Sequence, residues 1–91
     1  MKARTRARAV ALQALYEIDM VDHPPQLVVH DRLSENELDE NMADFIKQIV
    51  SSVWPIRKDL DEFIAEHAPE WPLEQVATID RNILRIALWE F

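Results

Sequence analysis

The chain has no glycine anywhere in its 91 residues. Glycine supplies the positive backbone dihedrals of tight hairpins, so its absence argues against a β-rich fold and for helices joined by other turn residues. It also excludes the glycine-rich loops that cradle phosphates in nucleotide-binding enzymes. Cysteine is absent too, which removes disulfide scaffolds, thiolate zinc sites and cysteine nucleophiles. A chain of this length makes one small domain with a thin core. No apolar run approaches the roughly 20 residues that span a bilayer, and no apolar stretch of a secretory signal follows the N-terminal arginines. The expectation is an all-α, cytoplasmic protein with no membrane segment.

Apolar spacing predicts four helices. The first runs from Ala3 to Met20, with Ala3, Ala7, Val10, Ala11, Ala14, Leu15 and Ile18 on one stripe. A step of about 100° per residue puts Thr5, Ala9, Leu12, Gln13 and Tyr16 on the far side, bordered by Arg6. Arg4 and Arg8 flank the opposite edge of the stripe. A connector follows over Val21–Leu33, where Pro24 and Pro25 oppose a helix. A capping box of Ser34 and Glu37 starts the second helix, which carries Leu38, Met42, Phe45, Ile46, Ile49, Val50 and Val53 on one face. Pro55 stops it. The third helix turns Ile56, Leu60, Phe63, Ile64 and His67 inward and ends before Pro69. Trp71 anchors a short corner. The fourth starts at Thr78 as N-cap and is apolar around nearly its whole circumference, which calls for neighbours on every side.

Charge divides the chain unevenly. Of the 10 basic residues, Lys2, Arg4, Arg6 and Arg8 lie in the first 16 positions, where no acid occurs. The rest of the chain sets 6 basic residues against all 17 acids, a balance of −11. Cations at a helix N-terminus oppose the macrodipole, so a polyanionic partner explains four of them there better than a solvated helix start does. The acidic remainder would repel a polyanion, confining contact to the basic arm.

The segment Arg4-Thr5-Arg6-Ala7-Arg8, followed by Ala11-Leu12-Gln13-Ala14-Leu15-Tyr16, resembles the start of the NusB family of transcription antitermination factors. Leu60, Asp61 and Ile64, then Trp71 and Leu73, continue the likeness in order. Asp80-Arg81, Ile83-Leu84-Arg85 and Ala87-Leu88-Trp89-Glu90 complete it. The sequence departs from the family at Gln75, where a basic residue is usual, and at Trp89, where tyrosine is common. The resemblance implies two small helical bundles with the first helix between them: a complete N-terminal three-helix bundle over residues 1–68 and, over 69–91, the start of a second. Family members continue through further helices, so the second bundle is expected to be truncated after its first helix. The resemblance further implies that residues 1–91 form an RNA-binding domain. Its ligand would be the single-stranded boxA element of ribosomal RNA leaders, bound together with NusE, a small-subunit ribosomal protein, within the RNA polymerase antitermination complex.

On that reading Lys2, Arg4, Arg6 and Arg8 are the RNA contacts, because guanidinium groups bind phosphates bidentately and stack on bases. Four such contacts give a log–log salt slope of about −3. Tyr16 can stack a base or pack against the second bundle with its hydroxyl wet, and the two roles are compatible. Gln13 can read a base edge or bridge two helices. Asp80 suits the helix dipole, and the resemblance places it near the RNA or NusE surface. Arg81 and Arg85 are expected to pair with Asp80 or Glu74. Glu35, Glu37, Asp39, Glu40 and Asp44 form a solvated acidic face. His23, His30 and His67 lack metal-ligand spacing, and the Asp61–Glu62 pair has no accompanying nucleophile, so neither catalysis nor a cofactor is expected. Two alternatives stand beside this reading. One is the NusB-like module of an rRNA cytosine methyltransferase. The other is a self-associating helical module, a homodimer that covers the apolar fourth helix.

Overall fold

The computed structural model describes residues 2–70 and 76–91. The expected corner at Trp71 and Leu73, Gln75, and any pairing with Glu74 lie outside the described residues. Among the described residues the fold is all-α, with five helices: α1 (Ala3–Val21), α2 (Pro25–Glu35), α3 (Glu40–Val53), α4 (Arg57–His67) and α5 (Thr78–Glu90). None of them is long and apolar enough to cross a membrane.

α1 is the central element and packs on α2, α3 and α5. Its buried stripe is Ala7, Val10, Ala11, Ala14, Leu15 and Ile18, as the spacing predicts, with Ala3 left exposed. The fully buried Ala7, Ala11 and Ala14 let neighbouring backbones approach closely. Against them α3 sets Met42, Ile46, Ile49, Val50 and Val53. Buried residues of all five helices join in one cluster. α1 ends on Asp22, which takes the left-handed conformation (φ 55°) and donates its backbone N–H to the Ile18 carbonyl at 3.1 Å. In a chain without glycine, an aspartate fills the position glycine usually takes, because a short polar side chain tolerates it best.

The structure corrects the expected connector at Val21–Leu33, most of which is helix α2. Pro25 occupies a first-turn position, where a missing N–H costs nothing and the fixed φ favours helix. Val28 and Val29 anchor this helix in the core. The Ser34–Glu37 capping box is absent. Ser34 lies in the last turn of α2 and its hydroxyl donates to the His30 carbonyl at 2.9 Å. The N-cap of α3 is Asp39, whose carboxylate accepts from the Met42 N–H at 2.8 Å. Thr78 likewise does not cap α5. Ala77 is the N-cap and contributes no side-chain bond.

Two faces are also corrected. Only Leu60 of α4 is buried, whereas Ile56, Phe63 and His67 are exposed. Phe63 stacks on His67 instead, with ring centroids 3.9 Å apart. α4 packs chiefly on α5, so a narrow stripe of Leu60, Asp61 and Ile64 suffices. On α5 the buried residues are Asn82, Arg85 and Ile86, while Ile79, Ile83 and the C-cap residue Phe91 are exposed.

Candidate nucleic-acid interface

The exposed side of α1 carries Thr5, Arg6, Ala9, Gln13 and Tyr16, which the helical step brings onto one face, and its exposed N-cap Lys2 adjoins them. Tyr16 is 39% exposed. Leu12, at the edge of this face, packs partly against the core. α1 has no acid in its first turn, so the positive end of its dipole adds to the arginine charges. Among the described residues no carboxylate lies within ion-pair distance of Lys2, Arg4 or Arg6.

Arg4 and Arg8 project from the other side of α1, toward α3 and α5. The Arg4 guanidinium lies over the Phe45 ring at 4.5 Å from its centroid and that of Arg8 at 5.7 Å. Arg8 also donates through Nε to Glu90 Oε1 at 2.7 Å. That bond, reinforced by the Glu90 charge, holds the Arg8 pKa above its ordinary value. The basic arm thus has two sides: one of Lys2 and Arg6 beside Gln13 and Tyr16, and one of Arg4 and Arg8 on an aromatic platform.

Asp80 is not brought to this end. α1 and α5 run antiparallel, with Arg8 beside Glu90 and Asp19 beside Arg81 and Asn82. Arg8 and Asp19 are separated by roughly 16 Å of helix. Exposed Asp80 therefore sits near the opposite end of α1 from the arginines.

That opposite end holds a polar cluster that sequence reasoning missed. Arg85 is 4% exposed and forms a bidentate pair with Asp61, Nε to Oδ1 at 2.8 Å and Nη2 to Oδ2 at 2.6 Å. Its Nη1 donates to Asp19 Oδ2 and to Asn82 Oδ1, both at 3.1 Å. Arg81 and Asn82 each donate to the same Asp19 oxygen at 3.2 Å. The expected pairings of Arg81 and Arg85 with Asp80 are thus replaced by Asp19 and Asp61. Burial pushes the Asp19 carboxyl up, but the Asn82 hydrogen bond and the charges of Arg85 and Arg81 outweigh it and hold the pKa below the ordinary value. For Arg85, burial is outweighed by Asp61 and Asp19, and the pKa is raised. The cluster ties α1, α4 and α5 together, and among the described residues Arg81 Nε is its one buried donor without a hydrogen-bond partner. The only sequence signal for it is the series of charged and amide residues, Arg81, Asn82 and Arg85, on one helix.

The sequence model of the NusB family matches residues 5–91. The transcription antitermination protein NusB of Roseiflexus castenholzii is 46% identical over 87 residues, covering 96% of this chain and 61% of that protein. Its counterpart from Bacillus subtilis is 43% identical over 91 residues, covering 99% of this chain and 65% of the relative. The chain thus spans less than two thirds of the length of either relative. Among solved structures, a chain in the crystal structure of a plectonemic RNA supercoil matches with a TM-score of 0.88 at 24% identity, over 99% of this chain and 66% of that one. That likeness is one of fold.

Proposed function

The chain belongs to the NusB family, and from that premise we propose that it is a non-enzymatic transcription antitermination factor that binds single-stranded boxA RNA of ribosomal RNA leaders through α1. The observation that carries the proposal is the cationic end of that helix. Lys2, Arg4 and Arg6 are exposed with no acid counterpart among the described residues, on a chain whose remainder is strongly acidic. Phosphates would engage the cations, Tyr16 would offer a stacking surface, and Gln13 would present an amide to a base edge. The domain's protein partner would be NusE, within the RNA polymerase antitermination complex in the cytoplasm. Asp80, far from the arginines, would serve a protein contact or the helix dipole rather than the phosphate track.

Fluorescence anisotropy with a short boxA RNA, with and without NusE, tests the reading. The expected result is salt-sensitive binding that NusE strengthens. Indifference to both salt and NusE would overturn it. A second reading, self-association, has its own observation. A groove of about 540 Å³ between α1 and α5 is lined by Leu12, Ile83, Ile86 and Phe91 together with the Arg8–Glu90 pair, and Ile83 is 46% exposed. Sedimentation at several concentrations tests this, and a monomer throughout would exclude it.

A further inference from the structure

We propose that Phe45 of α3 is the positioning residue for Arg4 and Arg8, holding both guanidinium groups over its ring so that their in-plane N–H donors face an RNA phosphate backbone. This inference rests on the RNA-binding reading of α1 and adds to it a residue from another helix.

Phe45 belongs by spacing to the buried stripe of α3, yet the structure leaves it only partly buried, packed at the margin of the core. Two arginines one helical turn apart on α1 cover it. A cation over an aromatic face is attracted by the ring quadrupole. For a guanidinium this leaves the hydrogen-bonding edge free, because its donors lie in the plane of the group. Arg8 spends Nε on Glu90 and keeps its terminal nitrogens. Arg4 has no acid partner among the described residues. Two guanidinium groups against one carboxylate leave a positive surplus beside the ring, which suits an anion. Ordering two long side chains before the ligand arrives also lowers the entropy cost of binding. Lysines at these positions would carry the charge but not the planar fork.

The test is a double-mutant cycle read by anisotropy with a short boxA RNA, using the full chain, with circular dichroism and thermal melts as folding controls. Phe45→Leu is expected to weaken binding roughly three- to tenfold. Phe45→Trp is expected to restore it. In an Arg4→Gln/Arg8→Gln background, Phe45→Leu should cost no further affinity. Arg4→Lys/Arg8→Lys, which leaves the core untouched, should weaken binding to a similar degree although no charge is lost. Equal losses in both backgrounds, no rescue by Trp in a folded protein, or full affinity in the double-Lys variant would each overturn the inference while leaving RNA binding by α1 intact. A wild-type chain that does not bind the RNA at low salt would remove both.

Discussion

The two ends of α1 are both built around arginines, and they differ in burial and in partners. At the C-terminal end of the helix, Arg85 is nearly excluded from water and makes four hydrogen bonds to Asp61, Asp19 and Asn82. At the N-terminal end, Arg4 and Arg6 are exposed with no carboxylate beside them among the described residues, and Arg8 has one. A buried guanidinium must be neutralised within the fold, so it becomes a structural bolt. An exposed one without a carboxylate adds little to stability and keeps its donors for a ligand. The same residue type thus holds helices together at one end and, on the proposed reading, offers a polyanion site at the other.

The largest effect that could break this contrast is on stability. Arg85→Met should cost about 3 kcal/mol, because it strands the Asp61 carboxylate and leaves Asp19 with only Arg81 and Asn82 as partners. Urea unfolding reads this directly, and a near-wild-type midpoint would mean the cluster is no bolt. Next in size is the effect at the other end. Lys2→Glu/Arg6→Glu should lower boxA RNA affinity tenfold or more with the melting temperature unchanged. A matching loss of stability would show that those residues are structural after all.

The pH dependence sharpens the comparison further. Asp19 has a folded pKa below its unfolded value. The stability it contributes is therefore present above the unfolded value and is lost as pH falls through the folded one. Between about pH 5 and pH 3 the wild type should lose more thermal stability than Asp19→Asn, whose side chain does not titrate. Equal losses in the two proteins would remove Asp19 from the account. The smallest effect is at Glu90. In Glu90→Gln the amide oxygen can still accept from Arg8 while a negative charge disappears beside the site. RNA binding should tighten about twofold at low salt, with little change in melting temperature.

Local patterns made much of this molecule readable from its sequence. The stripes of α1 and α3 were legible because each alternates apolar and polar positions with helical period. The cationic end of α1 was legible because charge asymmetry survives without coordinates. α2 was missed because Pro24 and Pro25 read as breakers, whereas Pro25 opens a helix whose short apolar pair, Val28 and Val29, gives little periodic signal. Ser34 matched a capping motif, but its place was taken by Asp39 once α2 extended to Glu35. The Asp19–Arg85–Asp61 cluster joins residues far apart in the chain, and no local spacing announces such pairs. The platform under Arg4 and Arg8 escaped for the same reason, since Phe45 read as ordinary core.

The salt dependence of RNA binding tests the central claim most directly. Anisotropy titrations of a boxA oligonucleotide over a range of KCl concentrations should give a log–log slope of about −3 for the wild type, falling to about −1.5 for Lys2→Gln/Arg6→Gln. A slope near zero, or one that the double substitution leaves unchanged, would contradict the assignment of the cationic end of α1 as the RNA grip.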